Sequence, residues 1–466
     1  MNYDLPVLRN PEALETEAVP EKTGRGGHPK ELTTLVLTEF WERFSYYGMR
    51  AILILYMTAP PKQGGLGFET QEAASIYGTY TMAVYLTGLP GGFIADKILG
   101  ARLAVIAGGL IIALGHFSMV ATSLPCFYTG LILITLGTGL LKPNISTMVG
   151  DLYSQDDPRR DGGFSILYMG VSLGAALAPL LCGYIAQGER FKQVLSYLSI
   201  NPLNSWHYGF AAAGVGMTFG VIQFTARRSR LVHIGVKPQH REASERLYRP
   251  LTRDEWKHIG VIFLLFFIYM LYSAVYEQSG SSLNLFADRL TRTEAFGWRF
   301  PSSWFQSVDS IYLIFLAPFF SMLWLRLGTR QPSVPAKFCL ALLFQGLALL
   351  LMVPASMFAS SGKVSPGWLL SVYFVDIIGW MCIGPIGASA VTKLAPPKLV
   401  GVMMGVWFLG IAFGSKIAGY LAGFFDETDI GLLMKFFGSL GVVALIAAAL
   451  LALSTPTICK LMGKVH

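Results

Sequence analysis

Apolar residues gather along this chain in runs of helical length, separated by short polar breaks. Twelve such runs begin near residues 31, 71, 103, 125, 163, 207, 257, 303, 335, 366, 399 and 431. A helix needs about 20 apolar residues to cross a bilayer, and the runs are of that order. A spanning strand would need polar and apolar positions to alternate over about ten residues, and no run does so. The breaks carry residues that stop helices: Pro60-Pro61, Gly64-Gly65, Pro202, Pro332 and Pro396-Pro397. The pattern predicts an all-α membrane protein with twelve transmembrane helices.

Composition agrees. Of 466 residues, 53% are apolar and 14% charged, where a soluble domain carries about 25% charged. The mean hydropathy is +0.51. That balance argues against a soluble enzyme, a disordered chain or a coiled coil. The five cysteines (Cys126, Cys182, Cys339, Cys382, Cys459) show neither metal spacing nor a disulfide framework and read as packing residues.

Charge position sets topology. The first thirty residues are polar and hold no secretory signal, so the N-terminus is expected in the cytoplasm. The net charge is +8, and the segment from Arg227 to Lys257 supplies +5 of it, nine Lys/Arg less four Asp/Glu. Most other basic residues fall in alternate loops: Lys97 and Arg102; Arg159 and Arg160; Arg326, Arg330 and Lys337; Lys393 and Lys398; Lys460 and Lys464. That is the positive-inside pattern rather than a nucleic-acid footprint. Arg289, Arg292 and Arg299 break it in one outer loop. The expectation is a multi-pass protein of the plasma membrane (the inner membrane of a bacterium), both termini cytoplasmic.

Six runs precede the basic segment and six follow it. The expected division is a polar tail (1–30), an N-terminal six-helix bundle (31–226), a basic cytoplasmic linker (227–256) with a weak helix from Glu242 to Tyr248, a C-terminal six-helix bundle (257–457) and a short tail (458–466). Two six-helix bundles joined by a long loop are the major facilitator plan, whose sites lie at mid-membrane between the halves. The stretch Gly92 to Arg102, with Asp96, Lys97 and Arg102 in a tight turn, resembles the loop motif of that superfamily. Asp96 can sit near a helix N-terminus and Arg102 can pair across the bundle, so the loop could act as a latch.

The first run carries Glu39, Glu42, Arg43 and Arg50. Each charge at a helix centre costs about 2.5–3.5 kcal/mol, so the four would cost on the order of 10 kcal/mol unpaired. Positions 39, 42, 43, 46, 47 and 50 fall on one helical stripe, which lets Glu39 and Glu42 approach Arg43 and adds Tyr46 and Tyr47. Other charges inside apolar runs are Lys142, Glu277, Asp309, Asp376 and Lys416. The N-terminal half supplies mainly cations and the C-terminal half mainly anions. Ion pairs between two bundles can break and form as the halves rock, and a proton landing on a carboxylate removes one attraction.

At these residues the chain resembles the proton-dependent oligopeptide transporter (POT, peptide or nitrate/peptide) family of the major facilitator superfamily. Glu39-Phe40-Trp41-Glu42-Arg43-Phe44-Ser45-Tyr46-Tyr47-Gly48 is similar to its E-x-x-E-R-F-x-Y-Y-G signature. Further matches are Lys142-Pro143-Asn144, the stretch Phe164 to Gly170, Glu277 to Ser282, Ser303 to Ser307, Val391 to Pro396 and Met403 to Leu409, so the resemblance covers roughly residues 31–457.

The resemblance implies a proton-coupled symporter importing di- or tripeptides by alternating access, with the proton as coupling ion and no other cofactor. It assigns Glu39, Glu42 and Arg43 to proton coupling, pairs Lys142 with Glu277 as a switch and puts Arg50 near that glutamate. It gives the substrate carboxylate to Arg43 and Lys142, with Tyr46, Tyr47 and Tyr85 lining the pocket and Trp407 near it. The expected partners are a peptide or small-molecule substrate and the lipid bilayer, with no nucleic acid, and the expected state is a monomer.

Three positions depart from the family pattern. Ser172 and Asp309 stand where peptide-transporting relatives carry Asn, and Trp380 where they usually carry Glu. The resemblance assigns those positions to the substrate's amino end. Either Asp309, with Asp376 as a second candidate, takes over the amine, or the pocket carries another solute, such as an aromatic or glycosylated organic anion. The chain also lacks the apolar run needed for the two extra helices that many bacterial members insert between the halves.

Other classes fit less well. His116 has no second ligand at metal spacing. Gly170-Val171-Ser172-Leu173-Gly174 matches G-x-S-x-G but lies inside an apolar run, where small residues serve helix packing. No phosphate-binding loop is present to drive an ATP-powered pump. A channel would need a repeated pore segment rather than clustered opposite charges.

Overall fold

The computed structural model describes residues 27–154, 157, 159–231, 234, 250–295 and 297–463. The chain is helical almost throughout. In order, the helices are α1 (Lys30–Thr58), α2 (Thr70–Leu86), α3 (Gly88–Ile94), α4 (Ala101–Ser118), α5 (Leu124–Gly150), α6 (Arg160–Gln187), α7 (Glu189–Tyr197) and α8 (Ser205–Ala226). After the linker follow α9 (Arg253–Tyr276), α10 (Ser282–Arg289), α11 (Val308–Leu327), α12 (Val334–Leu350), α13 (Met352–Ala359), α14 (Pro366–Leu394), α15 (Val400–Ala422) and α16 (Ile430–Met462).

Ten stretches among the described residues are long and apolar enough to cross a membrane. The remaining two expected spans are α1 and the α2–α3 pair. Charge keeps α1 out of the ten, and tyrosines, threonines and glycines dilute α2–α3. Both pack among the other long helices. The all-α membrane fold expected from the hydrophobic pattern is therefore what the chain adopts, and a count of twelve is consistent with it.

Local chemistry sets the boundaries. Pro60 and Pro61 end α1. Thr252 and Glu255 form a capping box that starts α9. Between α2 and α3 the helix yields at Thr87, whose hydroxyl donates to the carbonyls of Ala83 (2.9 Å) and of Thr135 on α5 (3.0 Å). The hydrophobic pattern did not foretell a small hairpin between α10 and α11, β1 (Glu294–Ala295) with β2 (Trp298–Arg299). The expected linker helix at 242–248 and most of the N-terminal tail lie outside the described residues.

Two groups of helices form. In the first, α1 packs on α6 and α8, and α4 on α5 and α8. In the second, α12 packs on α14 and α16, and α9 on α15 and α16. The groups meet where α2 lies on α15 and where α6 lies on α11 and the preceding turn, Ser302–Ser307.

The apolar core distinguishes the two ends of this assembly. Call the end with Gly100, Arg227 and Arg253 the linker face, and the other the far face. Toward the far face one continuous core takes residues from both groups, including Leu53, Tyr77, Phe210, Phe286, Phe305 and Phe437. Toward the linker face the core divides. One part holds Leu35, Ile145 and Met217 of the first group, the other Ile262, Phe338 and Met403 of the second. Polar contacts reinforce the far-face seal: Asn284 donates to the Ala51 carbonyl (2.9 Å), Trp304 to the Leu180 carbonyl (3.0 Å) and Gln187 to Ser302 Oγ (2.9 Å).

Candidate functional site

The site starts on α1. Its stripe of Glu39, Glu42, Arg43, Tyr46 and Arg50 is buried inside the protein, not turned to the bilayer. Small residues on α1 and α6 make this possible. A Cβ at Gly174 would lie 3.2 Å from Arg43 Cβ, and one at Gly48 only 2.6 Å from Cys182 Sγ. The G-x-S-x-G match is thus a helix-packing strip: Ser172 is buried and its hydroxyl donates to the Tyr168 carbonyl of its own helix (3.0 Å).

Arg43 grips Glu42 with two nitrogens, Nε to one oxygen and Nη2 to the other (2.6 Å). Its Nε also lies 3.4 Å from Glu39 Oε1. The guanidinium sits over the Tyr46 ring, 5.2 Å from the centroid. A planar fork satisfies a carboxylate at two points, which offsets the desolvation of both ions. Two turns onward from Arg43, Arg50 Nη2 meets Glu277 Oε2 at 2.6 Å, and Arg50 Nε donates to Tyr77 Oη at 2.6 Å. Tyr47 lies beneath this second guanidinium at 5.8 Å.

Glu277 reaches Arg50 because α9 stops at Tyr276 and passes into a 3₁₀ turn, Glu277–Gly280. Gly280 allows the close approach: a Cβ there would lie 2.7 Å from Arg50 Nη2 and 2.9 Å from Nε, and would collide with Tyr77 Oη. Gln306 Nε2 holds the turn from α11's side by donating to the Ser279 carbonyl (2.6 Å).

Lys142 does not pair with Glu277 in this structure. Its Nζ lies over the Tyr85 ring at 4.4 Å, and among the described residues it makes no ion pair. It remains within electrostatic reach of Arg43, Glu42, Glu39 and Glu277. Glu277 is already held by Arg50, through its Nη2.

The second group contributes Asp309 on α11 and Asp376 on α14, with Asp376 buried. Neither makes an ion pair among the described residues, and Asp309 Oδ1 is buried without a hydrogen-bond partner. Asp376 lies in the field of Asp309, and Asp309 feels Arg50 and Glu277. Trp380, one turn beyond Asp376, is half-buried and folds along α14 over Gly384, whose Cβ would sit 2.7 Å from the indole.

Two expectations meet a different arrangement. Trp407, expected near the pocket, is 2% exposed and belongs to the core of the second group. It stacks on Tyr269 at 4.0 Å and 6°, and Gly387 leaves room for its ring. In the 95–102 loop, Asp96 and Lys97 are exposed and Arg102 is half-buried. Among the described residues none of the three makes an ion pair, so no latch is closed in this arrangement.

Sequence reasoning missed Tyr77, Gly280 and Gln306. Gly280 and Gln306 left a signal, as parts of the Glu277–Ser282 and Ser303–Ser307 matches. The roles of Tyr77 and Gln306 arise from tertiary contacts between distant segments.

Comparison with known proteins fits this geometry. A model of the POT family matches residues 102–249 and 248–438. The uncharacterized transporter YclF of Bacillus subtilis is 35% identical over 96% of this chain and 97% of its own. Peptide transporter YePEPT of Yersinia enterocolitica is 33% identical over 94% and 96%. The crystal structure of a mutant of the peptide transporter POT in complex with alafosfalin superposes with a TM-score of 0.86 at 35% identity, covering 95% of this chain and 97% of that one. These likenesses run the length of both bundles and make the chain a multi-pass membrane transporter rather than an enzyme: it belongs to the POT family.

Proposed function

We propose that this chain is a proton-coupled symporter that imports di- and tripeptides by alternating access. The observation that carries the reading is the Arg50–Glu277 ion pair, which ties α1 of one bundle to the turn after α9 of the other at 2.6 Å. A pair in that place is a switch. Protonating Glu277 removes the charge that holds Arg50 and loosens the contact between the bundles. Lys142 then becomes the second cation that a returning Glu277 carboxylate can meet.

With the linker face cytoplasmic, the shared core closes the outer side and the divided cores leave the inner side to open. Both termini then lie in the cytoplasm, and the membrane is the bacterial inner membrane. The protein works as a monomer with the proton as its coupling ion.

Arg43 and Lys142 receive the substrate carboxylate, with Tyr46, Tyr47 and Tyr85 beside it. Asp309, with an unsatisfied buried oxygen, receives the ammonium that the glutamate replaced by Trp380 would have held. A second reading has its own support: the Ser172 hydroxyl is spent on its own helix and Trp380 offers a flat apolar wall. On that reading the cargo is an aromatic or glycosylated organic anion.

One screen decides. The full chain in proteoliposomes, with an inward proton gradient, is offered Ala-Ala, N-acetyl-Ala-Ala, nitrate and aromatic acids. Uptake of Ala-Ala, with N-acetyl-Ala-Ala failing to compete, supports the peptide reading. Uptake of aromatic acids alone supports the second.

A further inference from the structure

The interior ion pairs leave two carboxylates over, and among the described residues Lys142 also stands unpaired, over the Tyr85 ring. Arg43 is occupied by Glu42 and Glu39, and Arg50 by Glu277. Lys416 Nζ donates to Thr79 Oγ1 (2.6 Å), and Lys337 donates to Gln331 (2.9 Å). Asp309 and Asp376 remain, two carboxylates on neighbouring helices with no cation paired to either among the described residues. A buried carboxylate without a paired cation costs several kcal/mol, and a second carboxylate within electrostatic reach adds repulsion; Asp376 keeps a hydrogen-bond partner in the Gln345 side chain.

Independent atoms point into the same place. The Tyr272 hydroxyl is buried and unpartnered, its residue is 1% exposed, and it lies in the field of both aspartates. The carbonyl oxygen of the Gln345 side chain is also buried and unpartnered, while its amide donates to the Tyr272 carbonyl (3.1 Å) and lies beside Asp376. Tyr276 and Tyr373 complete the surroundings, both within electrostatic reach of the two aspartates. Two carboxyl groups, two spare acceptor oxygens and aromatic rings form a cage suited to an alkylammonium or guanidinium group.

One ammonium satisfies Asp309 alone. We propose that the carrier favours peptides with an additional positive charge, a lysyl, ornithyl or arginyl side chain, and that Asp376 with Tyr272 binds that charge. This rests on the peptide reading above and deepens it. The peptide carboxylate stays with Arg43 and Lys142, its amino end with Asp309, and the long basic side chain reaches Asp376.

The test compares Ala-Lys with Ala-(Nε-acetyl-lysine), alike in shape but different in charge, as competitors of Ala-Ala uptake by the full chain in proteoliposomes. The expected result is a preference for Ala-Lys of at least about tenfold, reduced toward unity in Asp376→Asn and lowered in Tyr272→Phe. Equal competition by both peptides overturns the inference, as does a preference that survives Asp376→Asn; in either case Ala-Ala uptake leaves the peptide reading standing. If Ala-Ala is not carried at all, the peptide reading falls. Thermal stabilisation of the purified chain by the same two compounds then decides the cation site: a charge preference removed by Asp376→Asn upholds it, and equal stabilisation rejects it. Should Asp376→Asn not fold, Tyr272→Phe supplies the comparison.

Discussion

Arg50 and Glu277 lie 227 positions apart in the chain and meet at 2.6 Å inside it. Their contact joins the two bundles, and Tyr77 from α2 closes its other side. Few changes in this protein remove so specific a tie with so little change in shape as Glu277→Gln. The variant keeps a hydrogen-bond acceptor but loses the charge and the titration. Expected is loss of proton-driven accumulation by at least about a hundredfold, with substrate exchange across the vesicle membrane retained. Accumulation at the wild-type level would show that the pair does not couple to protons.

Gly280→Ala tests the same contact sterically. The added methyl would press on Arg50 and Tyr77, and overpacking of this kind costs about 1–3 kcal/mol. A lowered melting temperature and uptake reduced at least about tenfold are expected. An unchanged melting temperature would mean that the turn relaxes freely, contrary to its packing.

Much of this site was legible along the chain. Spacing alone put Glu39, Glu42, Arg43 and Arg50 on one face of α1, because side chains three and four apart share a face whatever the tertiary fold. The twelve apolar runs gave the helix order, since length and hydropathy are local properties. Partners were not local. Lys142 was expected on Glu277 but sits over Tyr85, because Arg50 reaches the glutamate first. Trp407 was expected at the pocket but is packed on Tyr269, a choice made by the room at Gly387. The yielding of α2 at Thr87 depends on a bond to α5 and left no clear mark in the hydrophobic pattern.

Asp309→Ala separates the two candidate cargoes. On the peptide reading the free amine loses its anion, and uptake of Ala-Ala falls at least about a hundredfold. Uptake that persists, or that tolerates N-acetylation of the peptide, favours the organic-anion reading.

Gly78 and Gly419 hold the far-face seal. A Cβ at Gly78 would lie 2.7 Å from Gly419 Cα and 3.0 Å from the Ser415 carbonyl. Gly78→Val should part α2 from α15. A cysteine placed at the buried Ser415 should then react faster with a membrane-impermeant maleimide added from the far face, by about tenfold or more. An unchanged rate would mean that other contacts hold the seal.

The central claim is that substrate movement depends on protons reaching interior carboxylates. It is tested most directly by Ala-Ala uptake into proteoliposomes with an imposed inward proton gradient, measured before and after a protonophore. The account predicts accumulation above the external concentration that collapses when the gradient is dissipated. Accumulation that is indifferent to the protonophore would contradict it.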